Sequence, residues 1–327
     1  MTDAALPSEQ ENRAATVDPL PVSDVAQLCE DVRSNVGRVI VGHEDEIDHV
    51  ITTILARGHV LLEDVPGVGK TMLARSIATS IDCTFSRIQF TPDLLPTDIT
   101  GVNVFDQQNR EFEFQHGPIF GNVVLADEIN RAPPKTQAAL LEAMEEKQVT
   151  ADGETRPLPD PFTVIATQNA VEPNRTYELP LAEVDRFTKK LELGYPDADE
   201  EAELLDRTVG HHPIERLEPV ADLETIVRAR ETVAEVSVKA PVREYATRLA
   251  RYTREHARLG ASPRATISLL RAAQARAAVD GRGYVIPDDV EREAPAVLSH
   301  RIRTAASGHD RDGTAVVDDA IERVPVE

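Results

Sequence analysis

Lysine is nearly missing from this sequence. Six lysines (Lys70, Lys135, Lys147, Lys189, Lys190 and Lys239) stand among 35 basic residues, against 57 acidic ones, for a formal net charge of −22. Non-specific affinity for a phosphate backbone comes mainly from clustered Lys and Arg, so this balance argues against broad nucleic-acid binding and leaves room only for a local basic patch. A strongly acidic, lysine-poor surface fits a halophilic host, because charge repulsion is screened within about 3 Å at 1 M salt. An ordinary acidic cytosolic protein shares the same composition. Cysteine is also scarce: Cys29 and Cys83 lack metal-ligand spacing and are too few for a disulfide framework, which points to a reduced cytoplasm. No segment approaches the ~18 apolar residues of a membrane span, and the start, MTDAALPSEQENR, has neither a basic stretch nor an apolar run. A soluble, unexported, cytoplasmic protein is expected. Histidines do not supply a metal centre either, since His43, His49 and the adjacent His211 and His212 lack further ligands and read as loop or surface residues.

The organisation follows from periodicity. Residues 1–22 are polar and read as a flexible arm. From Ser23, Val25, Leu28, Val32, Val36 and Val39 recur at helical spacing; a second helix is expected from Glu44 to Arg57, stopped by Gly58, with the loop VIVGHED between the two. Short apolar runs then alternate with helices: HVLLE, TFSRIQF, NVVLADE, FTVIATQN and KKLELG. That alternation predicts a largely parallel sheet covered on both faces, an α/β fold over residues 23–195. Two polar hairpins, GVNVFDQQNREFEFQHG and QVTADGETRPL, are expected to protrude from it. Beyond Pro196 the strand signal ends, and helical patterns near 200–209, 223–236, 242–258, 263–279 and 287–301 predict an all-helical domain over 196–306. The last residues, 307–327, read as a polar, frayed tail.

The chemistry is concentrated in two stretches. The segment LLEDVPGVGKT ends like a phosphate-binding loop, but Asp64 stands where the general G-x-x-x-x-G-K-[ST] pattern has its first glycine. Its context, a strand before and a helix after, is what such a loop requires, because backbone N–H groups and a helix N-terminus must meet the phosphates. Lys70 would then reach the β- and γ-phosphates of ATP and Thr71 would ligate Mg²⁺, with Gly67 and Gly69 allowing close backbone approach. The second stretch is NVVLADEIN, a buried strand ending in Asp127 and Glu128. Carboxylates at that end of a central strand face the ligand crevice; Asp127 suits the Mg²⁺ shell and Glu128 suits the polarisation of a water.

These segments, with RIQFTPDLLPTDITG, GPIFGNVVLADEINRAPPKTQAALLEAMEE, VIATQN, LPLAEVDRF and GASPRA, resemble the MoxR family of AAA+ ATPases, in order from about Asp31 to Arg301. The resemblance implies a P-loop ATPase core with sheet order 5-1-4-3-2, a C-terminal helical lid, and ring-shaped homo-oligomers, hexamers by expectation, that remodel other proteins. It also explains Asp64, which the family tolerates in place of glycine. It places Val41, Gly42, Asp64, Val65, Pro66, Gly67, Val68, Gly69, Lys70, Thr71 and Met72 around the nucleotide. The first sensor falls on Asn169, the arginine finger, directed at a neighbouring subunit, on Arg186, and the second sensor on Arg264, in its own site or a neighbour's. Arg175 stands where the family more often has glycine. The two hairpins resemble insertions that face the ring's pore or partner surface. The implied function is an ATP-driven chaperone assisting cofactor or metal insertion, often into a protein with a von Willebrand factor A domain. A metal-chelatase motor subunit, a weakly hydrolysing nucleotide switch and a nucleic-acid motor are the alternatives.

Overall fold

A computed structural model describes residues 17–169, 177, 179–209, 212–304 and 313–326. Arg175, His211, most of the expected arm and the start of the expected tail lie outside the described residues.

The chain enters through helices α1 (Val22–Gly37) and α2 (Glu44–Leu55) and then builds a sheet from β1 (Val60–Asp64), β2 (Phe85–Gln89), β5 (Val123–Asp127), β8 (Thr163–Asn169) and β9 (Lys189–Leu191). All pairings are parallel, in the order β2-β5-β8-β1-β9. Numbered along the chain, this is the expected 5-1-4-3-2 order read from its other edge. Alternate residues on each strand serve opposite faces. Val60, Leu62, Val123, Leu125 and Ile165 join one core beneath α1, α2 and α3 (Lys70–Ser80). Leu61, Val124, Ala126, Val164 and Ala166 join a second core with α4 (Pro96–Thr100) and α5 (Pro134–Glu146). Both hairpins stand apart as separate two-stranded sheets: β3 (Gly101–Asp106) with β4 (Glu111–His116), and β6 (Gln148–Ala151) with β7 (Glu154–Pro157). A hydrogen bond of 2.8 Å from Asn103 to Asp152 links them.

After the short helix α6 (Leu181–Val184) and β9, the remainder is helical: α7 (Ala198–Thr208), α8 (Leu223–Glu235), α9 (Ala240–His256), α10 (Pro263–Val279), α11 (Pro287–Leu298) and α12 (Gly313–Arg323). The expected frayed tail is therefore wrong over 313–323, where Val316, Val317 and Ala320 are buried in the core shared with α9 and α11. Ile321 and Val324 pack against the same core, so an apolar face on a largely polar segment docks it. The second helix also stops earlier than expected, because Arg57 already takes left-handed backbone (φ 58°). Gly58 packs so closely on Thr188 that a Cβ would lie 2.2 Å from its hydroxyl.

Among the described residues, the helical part shares its core with the sheet. One apolar cluster runs from α1, α2 and the sheet into α8, α9, α10 and α11. Buried charges cross the same boundary. Asp48 on α2 binds Arg33 on α1 at 2.6 Å and Arg276 on α10 at 3.1 Å. Arg276 binds Glu293 on α11 at 2.8 Å, and Glu293 binds Lys189 on β9 at 2.5 Å. Burial alone would raise the Glu293 carboxyl, but Lys189, His49 and Arg276 hold it far below the usual carboxylate range. Removing one partner would leave an uncompensated buried charge, so this chain of ions fixes the lid against the sheet.

Candidate active site

The loop after β1 is shaped by Asp64, Gly67 and Gly69. Both glycines are in left-handed backbone (φ 92° and 93°), and nothing lies within 4 Å of a Cβ built on either, so the loop is strained for other residues and open to a ligand. Asp64 is buried, and its carboxylate accepts backbone hydrogen bonds from Val65 (2.7 Å), Leu193 (2.7 Å) and Gly194 (2.8 Å). Where the general motif has glycine, this chain uses a side chain to tie the loop to the segment leaving β9. The Lys70 ammonium donates to the carbonyls of Val65 (2.8 Å) and Asp64 (3.2 Å). Burial pushes its pKa down, and the nearby charges of Asp64, Asp127 and Glu128 pull it back up. Thr71 and Met72 follow on the first turn of α3, with Val68 and Met72 packed on the core and Pro66 exposed.

The strand ends bring the expected acids to this loop. Asp64 pairs in register with Asn169, and Gln89 with Asp127. Glu128, in left-handed backbone (φ 58°), accepts from the Asn169 amide at 2.9 Å through one oxygen and from Gln89 at 2.8 Å through the other, which also faces Arg131 at 3.1 Å. Asp127 accepts from the Thr167 hydroxyl at 2.6 Å and pairs with Arg87 at 2.5 Å. Val41 is buried nearby, and Gly42 (φ 68°) lies against Glu200 of α7, whose carboxylate oxygen would be 2.2 Å from an added Cβ. Asp64 and Glu200 also help to raise the pKa of His43, chiefly raised by its bond to Glu46.

Arg186 and Arg264 are elsewhere. Arg186 precedes Lys189, which pairs with Val60 at the first residue of β1. Along β1, at about 3.3 Å per residue, that end lies about 13 Å from Asp64. Both arginines bind Glu145 at the far end of α5: Arg186 pairs with one carboxylate oxygen at 3.2 Å and Arg264 donates to the other at 2.9 Å. Met144, next to Glu145, presents its carbonyl at 3.2 Å to His59, which immediately precedes β1.

The family described as "ATPase family associated with various cellular activities (AAA)" matches residues 59–189, and the "AAA lid domain" matches 249–320, including α12. The chain is 51% identical over 281 residues to the Bacillus subtilis (strain 168) protein YeaC, covering 85% of this chain and 88% of that one. It is 43% identical over 278 residues to "Chaperone MoxR1" of Mycobacterium tuberculosis, covering 82% and 73%. The chain belongs to the MoxR family of AAA+ ATPases. A crystal structure of a protein from Cytophaga hutchinsonii superposes with a TM-score of 0.86 at 36% identity, covering 93% of this chain and 96% of that one. Among the described residues, no helix is long and apolar enough to cross a membrane.

Around Asp127 and Glu128, sequence reasoning missed three residues, Arg87, Gln89 and Thr167, and away from that site it missed Glu145, which binds Arg186 and Arg264. Arg87 and Gln89 alternate with buried Ile88 on β2, so period-2 polarity at a strand end was an available signal. Glu145 had none, being one of several acids at the end of a helix.

Proposed function

We propose that this chain hydrolyses the β–γ bond of ATP at sites completed between neighbouring copies in a ring, and uses the cycle to remodel partner proteins. The observation that carries the reading is the position of Arg186 at the opposite end of the strands from Lys70, Asp127, Glu128 and Asn169. An arginine there cannot serve its own loop, but it can face the loop of a second copy. Because Arg264 shares Glu145 with Arg186, the same reasoning assigns the second sensor to the neighbour's site.

Within one copy, the loop N–H groups and the start of α3 receive the phosphates, and Lys70 balances their charge. Glu128 takes up the proton of the attacking water, with its carboxylate oriented by Asn169 and Gln89. The neighbour's Arg186 would spread its fixed positive charge over the γ-phosphate oxygens. Thr71 and Asp127 are hard oxygen donors, and Asp127 already holds a cation, Arg87, at 2.5 Å, so they fit Mg²⁺. Among the described residues no cluster of three acids, histidines or cysteines would cage an ion, which suits a metal that keeps waters and takes phosphate oxygens. Bound there, Mg²⁺ would neutralise phosphate charge. Remodelling of partners is supported by the similarity to Chaperone MoxR1, and a client with a von Willebrand factor A domain by the family resemblance alone.

The test mixes two inactive variants. Arg186→Ala subunits keep an intact loop and Glu128, while Glu128→Gln subunits keep the arginine. Under conditions of subunit exchange, followed by energy transfer between labelled copies, phosphate release is expected to recover in part. Exchange without recovery sinks the reading.

A further inference from the structure

The carboxylate of Glu145 joins two arginines that arrive from different parts of the chain. Arg186 comes from the link between α6 and β9, and Arg264 from the second residue of α10 in the lid. Each takes one oxygen, at 3.2 Å and 2.9 Å. The lid is locked onto the same segment next door, where Arg301 pairs with Asp185 at 2.7 Å and donates to the Phe187 carbonyl at 2.8 Å. Two guanidiniums this close repel one another unless an anion lies between them. Glu145 supplies that anion from the end of α5, a rigid element that starts shortly after Glu128 and whose Gln137 is bound to the Ile129 carbonyl at 3.0 Å.

We propose that Glu145 is a positioning residue for the neighbouring copy's reaction: it holds Arg186 and Arg264 together as a two-pronged cation aimed at one phosphate. Its side chain is 36% exposed, with Arg186 at 26% and Arg264 at 46%, so the ion pairs contribute little to folding stability. Their value is geometric. A fork offering donors from two arginines matches the spread of charge over phosphate oxygens, and a carboxylate that neutralises one of two positive charges leaves a net cation for the phosphate.

This assignment rests on the trans reading above, and the test separates the two. The mixture of Arg186→Ala and Glu128→Gln subunits is prepared again with Glu145→Ala added to one partner at a time. Added to the Glu128→Gln subunit, which donates the arginines, Glu145→Ala is expected to lower the recovered phosphate release on the order of 10- to 100-fold, the scale of small misplacements in active sites. Added to the Arg186→Ala subunit, which hydrolyses, it is expected to change little. Glu145→Gln keeps the size but not the charge, and on the donor side it is expected to lose activity as well, which covers the case of an unstable alanine variant. Melting temperature and nucleotide affinity of the Glu145 variants are expected to match their parents. A loss that follows the hydrolysing subunit, or a donor that works equally well without Glu145, overturns the assignment while leaving trans arginines intact. If the parent mixture itself exchanges without recovery, the trans reading and the assignment fall together.

Discussion

Asp64 and Gly194 are joined by a 2.8 Å hydrogen bond between the carboxylate and the backbone N–H, across the gap between the phosphate-loop strand and the start of the lid connection. The same oxygen accepts from Leu193 at 2.7 Å. Asp64→Gly, which would restore the general loop motif, is therefore expected to harm the protein. It strands the buried Leu193 N–H and the half-buried N–H groups of Val65 and Gly194, at a cost of about 2 kcal/mol, and loosens the loop. Denaturant unfolding and nucleotide affinity are both expected to fall; a glycine variant as stable as the parent would show that these bonds carry no weight.

Lys70 and Glu128 differ in what their loss should do. Lys70→Ala removes the cation that the loop itself supplies, so tight ATP binding is expected to disappear. Glu128→Gln keeps an oxygen for the Asn169 amide but polarises water poorly, and ATP is expected to bind and persist. Equilibrium binding of a fluorescent ATP analogue distinguishes them. Equal loss in both variants would make Glu128 structural.

Arg87 competes with any metal for Asp127, since its guanidinium lies 2.5 Å from one carboxylate oxygen. Arg87→Ala is expected to lower the Mg²⁺ concentration needed for half-maximal ATPase activity. A higher requirement would mean instead that Arg87 holds Asp127 in place for the ion.

His59 makes the fold sensitive to acid. Burial pushes its pKa from 6.5 down to about 4, while its ring accepts from the Val164 N–H at 3.0 Å and donates to the Met144 carbonyl. The unfolded chain thus binds more protons between those two values, so stability falls as pH drops from 6.5 towards 4. The loss from this group amounts to about 2 kcal/mol by pH 5. His59→Gln is expected to start less stable at pH 7 and to lose less on acidification. Parallel pH dependence in the two proteins, followed by denaturant midpoints, would exclude His59 as the source.

Much of this was legible before the fold was known because it is written locally. A run such as NVVLADE states its own burial, and the acids at its end are carried to the loop by the geometry of any parallel sheet. The glycines of the loop declare the left-handed backbone they require. Lys70 lies within electrostatic reach of Asp127 and Glu128, and Glu128 bonds Asn169, a residue picked out only through the family resemblance. The α/β core followed from periodicity, and the protruding hairpins from periodicity and turn residues.

Other features depended on residues distant in sequence and could be decided only by packing. Asp64 acquires its partners 129 and 130 positions later, so its side chain reads as an anomaly until β9 is placed beside β1. The tail docks through Val316, Val317, Ala320, Ile321 and Val324, whose meaning depends on their packing against α9 and α11. The line from half-buried Arg33 to buried Lys189 joins charges that look like solvated surface in the sequence, and it ties together what periodicity divides into two domains. Glu145 is one acid among several in the sequence. Its position between Arg186 and Arg264 exists only because α5 runs back along the sheet and the lid closes on its end, since a charge pair needs proximity in space and sequence patterns encode proximity only along one helix or one strand.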